Sequence, residues 1–202
     1  MLILASQSAT RKALLSQAGL RFTALPAAVD ERSLEASLLD EGAGGRAVAT
    51  ALSSAKAINI SLQHPDALVI GADQTLTFAG QLLHKPADRA AAKAQLRQLS
   101  GQTHQLHAAV ALAQGGEVVW SYLDTVELTM RDVSDAEIEA VLDAEGEGVL
   151  ASVGAYRLEG PSIQLFERVQ GDYFSILGLP LLPLLAALRR FAPQILLGAS
   201  PS

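Results

Sequence analysis

Ser8, Thr10, Arg11 and Lys12 follow directly on the apolar run Leu2-Ile3-Leu4-Ala5, and their types suit an anion. The run reads as a buried strand and the amphipathic stretch after it as a helix, which puts all four in the helix's first turn. A helix start exposes unpaired backbone N–H groups and a partial positive charge, so it stabilises anions. Two added cations make phosphate the natural guest. Lys56 and Lys85 also flank apolar segments, and Lys85 precedes Pro86, which biases its backbone to an extended form that can aim the side chain at a cleft.

Carboxylates supply the opposite charge. Asp73 follows the continuous apolar run 67–71, which has the composition of a central strand, and ligands of open α/β sheets gather at the carboxyl ends of strands. A carboxylate there can hold a divalent cation and orient or deprotonate a water. The simpler alternative is a turn Asp that caps the strand end. Asp30 and Glu31 come after a second strand, where a hard cation such as magnesium could use one or two oxygens, with water and phosphate completing its shell. The alternative for that pair is a solvated loop.

Several chemistries find no support. His84, His104 and His107 lack a zinc-ligand spacing. There is no Gly-x-x-x-x-Gly-Lys-Ser/Thr loop and no Gly-x-Gly-x-x-Gly, which leaves ATPase and dinucleotide readings without a motif. The absence of cysteine removes disulfides and thiolate chemistry together and is compatible with a reducing cytoplasm. A net charge of −6 argues against nonspecific nucleic-acid binding, which needs a broad basic surface. Half of the 202 residues are apolar, so one domain with a sizeable core is expected, with room for two lobes around a cleft. No secretory signal is recognised, and the apolar stretch 176–188 is too short and too rich in proline to span a bilayer. The expected setting is the cytoplasm.

The elements that must position these residues can be read in order. A strand over residues 2–5 leads into a helix to about Ala18, which Gly19 stops. A strand over 21–25 is followed by a loop carrying Asp30 and Glu31, a Gly-rich loop at 40–46 and a helix over 46–61. The central strand ends at Asp73-Gln74, and residues 75–78 form a separate hairpin partner before a turn at Gly80. A helix over 87–99 stops at Ser100-Gly101, and a strand pair turns at Gly115-Gly116. Ser134-Asp135-Ala136-Glu137 has the form of a capping box, opening a helix that turns Ile138, Val141 and Leu142 inward. A last helix spans 181–191, giving a single domain over 1–192 with a frayed tail over 193–202.

Taken together and in this order, the motifs resemble the Maf family of nucleoside triphosphate pyrophosphatases. The matching residues are Ala5-Ser6-Gln7-Ser8 with Arg11-Lys12, Val29-Asp30-Glu31, Lys56-Ala57, Ile70-Gly71-Ala72-Asp73-Gln74, Lys85-Pro86 and residues 99–104. Gly154-Ala155-Tyr156, Glu159-Gly160 and Gly178-Leu179-Pro180-Leu181 complete the set, which covers the chain from Leu2 to about Arg190. The resemblance implies an α/β fold of the inosine triphosphatase type: a mixed twisted sheet with flanking helices and two lobes around a nucleotide-binding cleft. It implies attack of water on the α-phosphorus of a nucleoside triphosphate, giving a monophosphate and pyrophosphate with a divalent cation, magnesium or manganese.

The resemblance also implies roles. Ser8, Thr10, Arg11 and Lys12 would bind the triphosphate, with Lys56 and Lys85 offsetting charge that builds on phosphorus. Glu31 and Asp73 would hold the metal, and Asp73 would activate the water. Gln74 and Glu159 would bear on the base. Members acting on thymidine and uridine triphosphates carry Asp-Thr and Ile-Gln-Gly where this chain has Asp73-Gln74 and Leu158-Glu159-Gly160. The 7-methylguanosine triphosphate branch is more similar at both places, although it has a Trp where Thr10 lies. A carboxylate only accepts hydrogen bonds, and guanine presents two adjacent N–H donors. A pyrimidine triphosphatase of the same family and a nucleotide-binding regulator of septum formation are the rival readings. A homodimer is expected by family analogy alone, and neither nucleic acid nor membrane is an expected partner.

Overall fold

The computed structural model describes residues 1–197. Seven strands form a mixed sheet in the order β2-β1-β3-β5-β6-β7, with β4 pairing on β3, and helices flank it. In chain order the elements are β1 (Leu2–Leu4), α1 (Ala9–Gln17), β2 (Thr23–Ala24), α2 (Glu31–Asp40), α3 (Gly45–Gln63), β3 (Leu68–Phe78) and β4 (Gln81–Leu83). There follow α4 (Arg89–Leu99), β5 (Thr103–Gln114), β6 (Glu117–Met130), α5 (Asp135–Glu145), β7 (Phe166–Gln170), α6 (Tyr173–Ile176) and α7 (Leu181–Phe191). Two compact units result. Among the described residues the first contains 1–74, 108–124 and 172–197; the second contains 75–107 and 125–171.

In the first unit, β1 pairs in parallel with both β2 and β3, in the register Leu2↔Leu68, Ile3↔Val69, Leu4↔Ile70. Successive side chains on a strand point to opposite faces, and here both faces are covered. Leu2, Leu4, Leu68, Ile70 and Ala72 pack with Leu14 and Leu15 of α1 and Leu181, Leu184 and Leu188 of α7. Ile3, Ala5 and Val69 pack instead with Ala57 and Ile60 of α3. The continuous apolar runs of β1 and β3 exist because neither face meets water.

The second unit is built around α4 and α5. Ser134 caps α5 with the expected reciprocal box, accepting from Glu137 N–H while Glu137 accepts from the Ser134 N–H. Ile138, Val141 and Leu142 are buried, as their spacing predicts. Ser100 ends α4. His104 and Tyr156 are buried and hydrogen-bonded at 2.7 Å, with Phe166 edge-on to the tyrosine. The ring of Tyr156 would sit 2.2 Å from any Cβ at residue 154, so Gly154 is required by close packing.

Three local expectations are corrected. Residues 68–78 are one strand, not a strand and a separate hairpin partner; β1 pairs with its first part and β4 with Leu76, Thr77 and Phe78. Asp73 therefore lies mid-strand, between the two paired stretches, where the partner on that edge changes. Glu31 opens a helix instead of lying in a loop. Asp30 caps that helix by accepting from the Ser33 N–H at 3.1 Å, and none of its residues is fully buried. The second strand is shorter than expected. Of the tail expected to fray, 198–202 lie outside the described residues; Pro193–Ile195 form a 3-10 turn, and Ile195 and Leu196 pack on the core.

Candidate functional site

The site begins with strand parity. Residue 73 is odd, like Ile3 and Val69, so its side chain is on the α3 face of β3. Lys56 stands one residue before the core-facing Ala57 of α3, and its ammonium donates to Asp73 Oδ1 at 2.6 Å and lies 3.0 Å from Glu31 Oε1. The close approach of α3 to β3 rests on Gly71. A Cβ there would lie 2.1 Å from the Ser53 carbonyl oxygen and 2.6 Å from the Ala57 nitrogen, both backbone atoms that cannot move aside. Gly71 thus sets the distance from which Lys56 reaches Asp73.

Asp73 is 7% exposed. Burial pushes its pKa above the ordinary carboxylate value, a push strengthened by Glu31 and only partly countered by Lys56 and Arg11. A carboxylate made harder to ionise beside two cations is a better proton acceptor than a solvated one. Burial and a place in the middle of β3 distinguish Asp73 from a turn residue.

The opposite face of β3 carries a second cluster. The Arg11 guanidinium donates from Nε to the Gly178 carbonyl at 2.8 Å and from Nη1 to the Ala72 carbonyl at 2.9 Å, with Ser6 Oγ at 3.5 Å. Burial lowers its pKa from the usual value, against the pull of Asp73 and Glu31, yet a guanidinium stays charged. Gln74 donates from Nε2 to the carbonyls of both Ser175 and Ile176, each at 2.9 Å. Two carbonyl acceptors can be met only by the amide nitrogen, which fixes the flip and leaves Oε1 as the polar atom Gln74 can offer. Arg11 and Gln74 therefore pin the turn at 175–178 to β3. This tie was invisible in the sequence, because carbonyl groups have no residue signature.

The remaining candidates fall as follows. Ser8 caps α1, accepting from the Arg11 N–H at 3.3 Å, so its hydroxyl helps to shape the anion-favouring helix start. Thr10 and Lys12 are half-buried in the first turn of the same helix. Lys85 and Glu159 belong to the second unit, where Lys85 is exposed beside the buried Pro86. The structure thus groups Arg11, Glu31, Lys56, Asp73 and Gln74 within one unit.

A divalent cation suits this donor set. Glu31 and Asp73 are hard oxygen donors close enough to share one ammonium, and two carboxylates are what magnesium takes when a phosphate chain brings the remaining ligands. Among the described residues no group of three or more His, Asp or Glu forms a self-sufficient metal cage. His104 and His107 are engaged elsewhere, with Tyr156 and with Thr77 and Thr125. No helix among the described residues is long and apolar enough to cross a membrane.

A family model and several relatives match the chain over nearly its whole length. The family described as Maf-like protein matches residues 1–191. The chain is 50% identical over 189 residues to a 7-methyl-GTP pyrophosphatase of Brucella abortus biovar 1 (strain 9-941), covering 94% of this chain and 95% of the relative. It is 52% identical over 189 residues to a protein of the same name from Rhizobium meliloti (strain 1021), again covering 94% and 95%. A nucleoside triphosphate pyrophosphatase of Nitrobacter hamburgensis (strain DSM 10229 / NCIMB 13809 / X14) is 54% identical over 189 residues, covering 93% of this chain and 92% of the relative.

Proposed function

The chain belongs to the Maf family, and on that premise we propose that it is a nucleoside triphosphate pyrophosphatase whose general base is Asp73. The observation that carries this reading is the buried Asp73 carboxylate, held 2.6 Å from Lys56 with Glu31 on the same ammonium. Water attacks the α-phosphorus as Asp73 takes its proton. The new P–O bond forms, the bond to the β-phosphate bridging oxygen breaks, and pyrophosphate leaves. Lys56 and Lys85 offset the negative charge that builds on the phosphate oxygens, and Arg11, Lys12 and the α1 start bind the chain of phosphates. Glu31 and Asp73 would hold a divalent cation, magnesium or manganese, which supplies further charge stabilisation when bound.

For the base, the acceptor inventory favours a guanine-type substrate, with 7-methyl-GTP first. Glu159 can only accept, and Gln74, its amide hydrogens both engaged, likewise offers an acceptor. The names of the Brucella and Rhizobium relatives support this choice. Thr10 cannot stack on a base, which keeps dTTP or UTP as the rival substrates; the Nitrobacter relative bears only the general name nucleoside triphosphate pyrophosphatase.

Pyrophosphate release from a panel of normal and modified triphosphates, with and without magnesium, tests the reading. The expected result is metal-dependent release with 7-methyl-GTP or GTP ahead of UTP and dTTP. No release from any triphosphate would leave a nucleotide-binding regulator instead.

A further inference from the structure

Outside the site, one charged network in the second unit is built too deliberately for a surface accident. Glu145, the last residue of α5, has a side chain only 1% exposed. Its Oε1 accepts from both the N–H and the hydroxyl of Ser162, at 2.9 and 2.7 Å. Its Oε2 lies 3.7 Å from Nη1 of Arg157, and the Nε of that arginine is 3.5 Å from Glu159 Oε1. One guanidinium thus joins a buried, fixed carboxylate to a partly exposed one two residues away.

Two glycines make room for it. A Cβ on Gly148 would come within 2.9 Å of Arg157 Nη1, and one on Gly160 within 2.6 Å of Glu145 Oε1. Both positions are vacant where the network needs close approach. Glu145 therefore anchors the loop on either side of Glu159: through Ser162 beyond it and through Arg157 before it.

The geometry points to Arg157 and Glu145 as positioning residues for base selection, acting through Glu159. This rests on the reading of Glu159 as the acceptor for the base's N–H donors. A carboxylate on a short loop can adopt many rotamers, and only a narrow set faces two adjacent donors at once. The guanidinium lies against Oε1 and restricts the side chain; because each carboxylate oxygen has two lone pairs, Oε1 can still accept from one base N–H while Oε2 accepts from the other. Selectivity should therefore respond to Arg157 even though Arg157 itself need not touch the base.

The test is a double-mutant cycle with kcat and KM measured for 7-methyl-GTP, GTP and UTP. Arg157→Ala should lower the kcat/KM ratio of the guanine-type substrates over UTP about tenfold, mainly through KM. Gly148→Ala, which pushes the guanidinium aside while keeping its charge, should move the ratio the same way. In a Glu159→Gln background Arg157→Ala should add nothing, because residues acting through one another are not additive. If Glu159→Gln shifts the ratio and Arg157→Ala does not, or if the two shifts simply add, the positioning role is overturned while Glu159 keeps its own. If Glu159→Gln leaves the ratio unchanged, the base is read elsewhere, and the role of Arg157 falls with that of Glu159.

Discussion

Two sets of ion pairs in this molecule have nearly equal lengths and opposite consequences. In the first unit, Lys56 meets Asp73 at 2.6 Å with side chains 12% and 11% exposed. In the second, Arg89, Lys93 and Arg97 on one face of α4 meet Asp135, Glu139 and Asp143 on α5, one helical turn apart, at distances such as 2.5 Å for Lys93–Glu139 and 2.6 Å for Arg89–Asp143. There the hydrogen bonds from the cations hold Asp135 and Glu139 below the ordinary carboxylate value. Asp73 is pushed above it, because burial outweighs its two cations. Contact distance therefore says little about role; desolvation decides. The exposed ladder is a fastening between helices, whereas the buried pair is a cost that the fold tolerates at the proposed reactive centre.

Substitutions can break this contrast, with the largest effect expected at Asp73. Asp73→Asn keeps the shape and can still meet Lys56 but cannot take a proton, so kcat should fall on the order of a thousandfold while the melting curve stays near wild type. Pyrophosphate release together with circular dichroism checks both halves. In the wild type, the acid limb of kcat/KM should lie above the ordinary aspartate range near 3.8, since activity rises as the raised pKa of Asp73 is passed.

Lys56→Met leaves two carboxylates facing each other without their shared cation. Urea unfolding at neutral pH should show a loss of about 3 kcal/mol, the usual penalty for stranding one half of a buried pair. The loss should shrink as the pH is lowered and the carboxylates take up protons. A pH-independent loss would mean that packing, not charge, explains it.

His104 sharpens the comparison because it is buried with no carboxylate partner. Burial pulls its pKa down to about 4 from 6.5, so as pH falls the unfolded chain takes up the proton first. The stability that a neutral His104 permits is complete above about pH 6.5 and is lost progressively toward pH 4, by about 3 kcal/mol. Urea melts across that range, with His104→Gln flattening the profile, measure it. At the small end, Asp135→Asn should lower the melting temperature by no more than about 3 °C, and less in high salt, as exposed pairs do.

Much of this was legible in the primary structure. The apolar runs of β1 and β3, the capping box at Ser134 and the α7 stretch are local signals, each governed by residues within a few positions. The types of Glu31, Lys56 and Asp73 raised phosphate and metal chemistry as an expectation, and the fold brings the three side chains together. Helix α2 escaped although Leu34 and Leu38 fall at helical spacing, because so short and half-buried a stripe does not stand out behind the charged start Asp30-Glu31-Arg32. The continuity of β3 past Asp73 escaped because a polar Asp-Gln pair mimics a strand end when the flanking partners are unknown.

The side-chain menu and the alternation along each strand were thus set by residue identity, because backbone geometry repeats every two residues in a strand and every 3.6 in a helix. What folding alone decided was who meets whom: Gly71 drawing α3 onto β3, the carbonyls of residues 72, 175, 176 and 178 capturing Arg11 and Gln74, and Glu145 reaching Ser162. Such contacts join positions up to 167 residues apart through backbone atoms that every residue shares, and no local pattern can encode them.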